Sequence, residues 1–293
     1  MTPTGFAPAK VNLFLHVGPL AADGYHPLSS LVVFADVGDR LGLSPAAALD
    51  LVMTGPFAAA TGPAQDNLVL RALGALEARA GLALPPLRIL LDKQLPVAAG
   101  LGGGSSDAGA LLRLIDRAFE LELPDDLLVE TASEVGADGP MCLQGAPALA
   151  LGRGDVLTPA PILPQLHAVL VNPGVPSPTG AVYRAYDEAG ARGGAETPPL
   201  PDAFESAEEL AAMLAGARND LEAPAVALQP AIGEVLDRLG DEADVLLARM
   251  SGSGATCFAL CPGDLEARSL AETLGAERPD WWVQACRLGG PWE

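Results

Sequence analysis

Positive charge is scarce in this chain. Its 17 lysines and arginines face 37 aspartates and glutamates, a formal net charge of −20, and so acidic a surface repels nucleic acid and anionic membranes over a wide area. Any anionic ligand must be met by local positive groups. Lysine is scarcer still: Lys10 and Lys93 are the two in a chain that otherwise uses arginine. An arginine serves as well at most surface positions, so both lysines read as places where a compact charge is needed beside a phosphate or hydroxyl. Three histidines, and four cysteines (Cys142, Cys257, Cys261, Cys286) without CxxC spacing, exclude a zinc cluster and predict buried, reduced thiols. No apolar run reaches the roughly 18 residues of a membrane span, and Met1-Thr2-Pro3-Thr4-Gly5 lacks the basic segment and apolar core of a signal peptide. Together these absences predict a cytoplasmic protein with no membrane or nucleic-acid partner.

At 293 residues and 49% hydrophobic content, the chain is long enough for two packed cores, at about 100–200 residues per domain. A proline-rich passage after Gly152-Arg153-Gly154-Asp155 places the boundary near residue 155, giving domains 1–155 and 156–293. Val11, Leu13, Leu15 and Val17 alternate with Asn12, Phe14 and His16, the period of a half-buried strand with Lys10 and Asn12 on one face. The turn Asp23-Gly24-Tyr25-His26-Pro27 leads to a strand over 31–34 and a second turn at Gly38-Asp39, the start of an antiparallel sheet. Helices are predicted over 66–82, stopped by Gly81, and over 124–135, the latter leaving Asp138 at a helix-to-strand junction. The stretch 187–203, with Gly-Gly, Pro-Pro and mixed charges, buries little apolar surface and is expected to be a mobile excursion. His16, beside Phe14, reads as a packed residue.

The most informative segment is Pro96-Val97-Ala98-Ala99-Gly100-Leu101-Gly102-Gly103-Gly104-Ser105-Ser106, which follows the strand-like Leu87–Leu91. Its glycines let the backbone take positive φ and bring N–H groups close to an anion. Ala108, Leu111, Leu112, Ile115 and Phe119 then fall at helical spacing, so the unpaired N–H groups and positive dipole end of that helix point back at the loop. Loop and helix form a phosphate cradle. A Walker loop needs Lys, and a dinucleotide-binding loop needs Gly, where Ser105 stands.

The pattern Pro-x-x-x-Gly-Leu-Gly-x-Gly-Ser-Ser instead resembles the phosphate loop of the GHMP kinase superfamily. Pro8-Ala9-Lys10-Val11-Asn12-Leu13, Asp23-Gly24-Tyr25-His26, Asp66-Asn67-Leu68-Val69, Gly136-Ala137-Asp138, Asn219-Asp220-Leu221-Glu222 and Met250-Ser251-Gly252-Ser253-Gly254-Ala255 resemble further blocks of that superfamily, in order, across nearly the whole chain. The resemblance implies a two-domain α+β fold, its N-terminal part like domain 2 of ribosomal protein S5 and its C-terminal part a ferredoxin-like sandwich, with the active site in the cleft. It implies ATP and Mg²⁺ as cofactors, metal ligands unknown, and a small-molecule substrate, cytidine-diphosphate-linked methylerythritol, phosphorylated by a monomer or homodimer. Carried over residue by residue, it makes Lys10 and Asp138 catalytic. Asn12, Tyr25, His26 and Thr179 would hold substrate, Tyr25 stacking on cytosine and His26 reaching its edge. Asn67, Lys93, Pro96, Gly100, Leu101, Gly102, Gly103, Gly104, Ser105 and Ser106 would hold ATP. The superfamily blocks usually carry Asn or a small residue where Asp107 stands; a carboxylate there repels ATP unless turned outward or shared with the metal. Two rivals remain open: a related kinase for homoserine, mevalonate or a sugar, which has no use for Tyr25-His26, and a nucleotide-sensing protein without catalysis.

Overall fold

The computed structural model describes residues 2–190 and 193–292. Its backbone is a mixed sheet of ten strands, nearly all antiparallel, ordered β3-β4-β2-β10-β7-β9-β8, with β1 and β5 also on β2 and β6 on β5. The strands are β1 (Thr4–Val17), β2 (Leu28–Pro45), β3 (Asp50–Thr54), β4 (Leu87–Asp92), β5 (Ala148–Gly152), β6 (Val156–Pro159), β7 (Leu166–Asn172), β8 (Leu247–Met250), β9 (Cys257–Cys261) and β10 (Trp282–Gly289). The α-helices are α1 (Leu68–Ala80), α2 (Gly103–Ala118), α3 (Asp125–Val135), α4 (Gly139–Gln144), α5 (Thr179–Glu188), α6 (Ala207–Ala215), α7 (Glu222–Leu228), α8 (Pro230–Gly240) and α9 (Asp264–Glu277). The 18-residue β2 joins the two ends of the chain: its first part pairs with β5, its middle with β10, its last with β4. Among the described residues no helix is long and apolar enough to cross a membrane.

Three large apolar clusters fill the layers. Leu111, Leu112, Leu114 and Ile115 of α2 are fully buried against α1, α3 and the β2–β4 pair, worth about 1.5–3 kcal/mol per side chain. Phe14, Leu31, Phe258 and Leu210 build a second cluster between β1, β2, β9 and α6. Val169, Val171, Ile232, Val235 and Leu274 build a third under α8 and α9. All four cysteines are buried and free.

Several local expectations give way. β1 is buried on both faces from Ala7 to Val17 rather than half-buried, because β2 lies beside it, α2 packs on it, and apolar residues occupy both sides of the alternation. There is no turn at Gly38-Asp39; β2 runs straight through, and β1 shifts register between Pro8 and Lys10. Gly38 serves close approach instead, since a Cβ there would sit 2.2 Å from the Ala7 carbonyl oxygen. The helix predicted from Asp66 begins at Leu68, its N-terminus capped by the Asn67 side chain accepting from Val69 N–H, and Gly81 closes it in the left-handed region. Asp138 opens not a strand but the short helix α4, whose first turn holds Pro140. In the stretch expected to be mobile, residues 191 and 192 lie outside the described residues. Its remainder is tied down by polar contacts: Glu196 O to His16 Nδ1 (2.7 Å), Thr197 Oγ1 to Ser29 Oγ (2.8 Å), and Gly194 O accepting from Arg218 Nη2 (2.7 Å).

Candidate active site

Four backbone hydrogen bonds shape the glycine segment before any ligand arrives. Lys10 N–H donates to Leu101 O (2.8 Å), Ser177 N–H to Ala98 O (3.3 Å), Thr256 N–H to Ala99 O (3.1 Å) and Ser106 N–H to Gly102 O (2.9 Å). Ala98 is held at φ +53°, Gly100 at +75° and Gly102 at +62°, a left-handed run that only glycine adopts without strain at two of the three positions. Gly102 begins α2 with no side-chain cap, so the first-turn N–H groups are available to an anion. The second glycine segment closes on the first: Ser251 Oγ donates to Gly100 O (3.0 Å), while the Asn219 amide donates to Met250 O and Gly252 O (2.8 Å each).

Above this loop lies a cavity of about 520 Å³ lined from both sides of residue 155, by Lys10, Asn12 and Asp138 on one side and Thr179, Tyr183 and Ser253 on the other. Of the predicted site residues, Asn67, Lys93, Pro96 and Gly100 through Ser105 also line it. Lys10 Nζ donates to Asp138 Oδ2 at 2.9 Å, the lysine buried and the aspartate partly open. Burial, the largest single influence, works against the Lys10 charge, but the Asp138 charge and its hydrogen bond, with a further contribution from Cys142, together outweigh it and the ammonium sits above its ordinary pKa. A fixed cation beside a half-exposed carboxylate at the edge of an anion cradle can orient a hydroxyl and neutralise charge as it attacks phosphorus.

Other predicted residues are placed differently. Ser106 is buried, its Oγ without a hydrogen-bond partner among the described residues, and it does not line the cavity. Asn12 lines it; its amide donates to Ser30 Oγ (2.8 Å) and its Oδ1 is buried without a partner among the described residues. Asn67 is occupied as a helix cap, and Thr179 Oγ1 shares a hydrogen bond with Ser253 Oγ (2.9 Å). Tyr25 and His26 stand outside the cavity lining. Tyr25 is 54% exposed with the Arg153 guanidinium 4.2 Å over its ring. His26 bonds Gly18 O through Nδ1 (2.9 Å) and packs 5.2 Å from Tyr183. Lys93 lines the cavity, but its ammonium is held by Asp39 and Asp107. Asp107 lines the cavity too, almost fully buried, with its Oδ2 turned to Lys93.

Sequence reading missed Tyr183, which joins the cavity to His26; burial and then Asp138 push its phenol up to about 12, so it remains a neutral donor. Its place one helical turn after Thr179 was the available signal. Arg153 was named only in the segment that precedes the proline-rich passage, with no role. Among the described residues no group of three His, Cys, Asp or Glu is arranged to hold a metal ion.

Two family models match the sequence: the GHMP kinases N terminal domain over residues 67–146 and the GHMP kinases C terminal model over residues 202–280. A protein of Caulobacter sp. (strain K31) named 4-diphosphocytidyl-2-C-methyl-D-erythritol kinase is 63% identical over 98% of each chain. One of the same name from Caulobacter vibrioides (strain NA1000 / CB15N) is 61% identical over 98% of this chain and all of that one. Among solved structures, a 4-(cytidine 5'-diphospho)-2C-methyl-D-erythritol kinase superposes with TM-score 0.76 at 36% identity over 98% of this chain and 100% of that one. Homoserine kinase from Cytophaga hutchinsonii superposes with TM-score 0.68 at 18% identity, over 99% of this chain and 94% of that one, a likeness of fold alone.

Proposed function

The chain belongs to the family of 4-diphosphocytidyl-2-C-methyl-D-erythritol kinases within the GHMP kinases, and from that membership we propose that it transfers the γ-phosphoryl group of ATP to the 2-hydroxyl of 4-(cytidine 5'-diphospho)-2-C-methyl-D-erythritol in the cytoplasm. The observation that carries the assignment of roles is the Lys10–Asp138 pair facing the uncapped start of α2 across one cavity. Backbone N–H groups from Gly102 to Ser105 hold the ATP phosphates, supplying in place what the acidic surface withholds. Mg²⁺ would arrive with the ATP phosphates and would supply neutralisation of their charge; the described side chains offer it no cluster of their own.

Asp138 accepts a hydrogen bond from the substrate hydroxyl and directs its lone pair at the phosphorus. Lys10, charged throughout the physiological range, keeps that carboxylate in position and offsets the negative charge that builds between nucleophile and leaving group. Asn12, which lines the same cavity, orients the substrate. Tyr25 stacks on cytosine, and His26 and Tyr183 close the pocket behind it. Substitution tests these roles: Lys10→Met and Asp138→Asn are expected to lower kcat by at least about 10²-fold while ATP still binds. Retained turnover in both variants would remove the pair from the chemistry.

A further inference from the structure

Beneath the phosphate loop lies a group of charges that the transfer itself does not use. Lys93 follows β4, Asp39 sits within β2 and Asp107 in the second turn of α2, and they are 3%, 0% and 2% exposed. Lys93 Nζ donates to Asp107 Oδ2 at 2.6 Å and also to Asp39 Oδ2. Asp39 Oδ1 accepts the backbone N–H groups of Gln94 (2.6 Å) and Leu95 (2.9 Å). The residues tied together are the two ends of the loop: Gln94 and Leu95 lead into it, and Asp107 follows it.

Two carboxylates against one ammonium leave one negative charge buried under a site for phosphates, unless a proton is held. Donor counts say where. Asp39 accepts three donors, two of them backbone N–H groups in fixed positions, which is what an ionised carboxylate needs. Asp107 accepts one, and its Oδ1 is buried with no partner among the described residues. A bare anionic oxygen in that position is costly, and a neutral acid is much less so.

Building on the reading of the site given above, we propose that Asp39, Lys93 and Asp107 form one electrically neutral positioning unit, a carboxylate, an ammonium and a carboxylic acid on Asp107, that fixes both ends of the phosphate loop without placing net negative charge beneath the nucleotide. Its energetics agree in direction. Burial pushes the Asp107 carboxyl up to about 8, with Lys93 opposing and Asp39 reinforcing, and Asp107 and Asp39 hold the Lys93 ammonium above its ordinary value against burial. Cys142 of α4 also feels Asp107, but burial, foremost, and then Asp138 push its thiol up to about 12, so it contributes no charge. Lys93 is then a positioning residue rather than the ATP contact that family resemblance implies, and Asp107 is tolerated near ATP because it is un-ionised.

Infrared spectroscopy of the intact protein reads the proton directly. At pH 7 the C=O stretch of an un-ionised carboxylic acid is expected, absent from Asp107→Asn, bleaching as pH rises to 9.5, and unchanged when a non-hydrolysable ATP analogue with Mg²⁺ binds. In steady-state kinetics, KM for ATP is expected to rise several-fold from pH 7 to 9.5 in the wild type and to stay within about twofold in Asp107→Asn. Absence of the band at pH 7, or its loss on analogue binding as Lys93 leaves for a phosphate, would overturn the proposal. The wild-type spectrum stands even if the variant does not fold. It is independent of substrate: a band without turnover of the cytidine compound faults the proposed function and leaves the unit in place.

Discussion

Gly100 is where the two glycine segments touch, and its replacement by alanine separates backbone strain from steric clash. At φ +75° a Cβ would lie 2.2 Å from Ser251 O and 2.9 Å from Gly254 N, backbone atoms that move only by parting the two segments. The left-handed conformation costs an alanine about 1–2 kcal/mol, and forcing a methyl into a packed contact adds about 1–3 kcal/mol, so Gly100→Ala is expected to lose about 2–5 kcal/mol. Gly81→Ala is the matched control: φ is +63° and nothing lies within 4 Å of the added Cβ, leaving the strain of about 1–2 kcal/mol alone. Thermal unfolding should place Gly100→Ala several degrees below Gly81→Ala, at about 2–4 °C per kcal/mol in chains of this order of size. The kinetic difference should be larger. Parting the segments displaces the amides that face ATP, and a misplacement of about 1 Å costs about 10²-fold in rate, so kcat/KM for ATP should fall by that order in Gly100→Ala and stay at the wild-type value in Gly81→Ala. Equal kcat/KM values for the two variants would refute the claim that contact between the segments sets the cradle.

Tyr25→Ala should leave the melting temperature and KM for ATP unchanged, because its ring is largely exposed, while raising KM for the cytidine substrate about tenfold, the loss of about 1.4 kcal/mol of stacking; initial rates over a two-substrate grid decide. His16 is neutral in the fold, its Nδ1 meeting Glu196 O and its Nε2 accepting from Arg218 N–H (3.2 Å), and burial, the largest influence, lowers its pKa. A lowered histidine pKa gives stability that is full above the unfolded value of about 6.5 and is lost as pH falls through the folded one, so melting scans from pH 7.5 to 5 should drop more steeply in the wild type than in His16→Gln. Ser251→Ala removes the hydroxyl that bonds Gly100 O and accepts from Asn12 N–H (3.2 Å); a loss of about 1–2 kcal/mol in chemical denaturation is expected, with a several-fold fall in kcat/KM for ATP.

The phosphate loop was legible in the sequence because everything that makes it is local: glycines for positive φ, then an amphipathic helix whose first turn points back. The Lys10–Asp138 pair was not legible from spacing, since its members stand 128 residues apart and only resemblance joined them. Lys93 was noticed for its rarity, but its two carboxylate partners come from β2 and α2, a meeting that only tertiary structure makes. Asp138 was misplaced by a local cue: Gly139-Pro140 reads as a stop after α3, while proline at a helix start is equally what α4 needs. The chain after α5 was judged by its poverty in apolar residues, yet hydrogen bonds from Arg218, His16 and Ser29 hold it, and hydropathy does not register those. Tyr25 and His26 were recognised as a pair, but their place outside the cavity lining was not legible, because burial along a turn has no period to read.

The central claim is tested most directly by release of ADP from Mg-ATP with the purified protein, supplied in turn with 4-(cytidine 5'-diphospho)-2-C-methyl-D-erythritol, mevalonate, homoserine and galactose. The account predicts turnover with the cytidine compound and none above background with the other three. Turnover of one of those in preference to it, or ATP binding without turnover of any, would contradict the account.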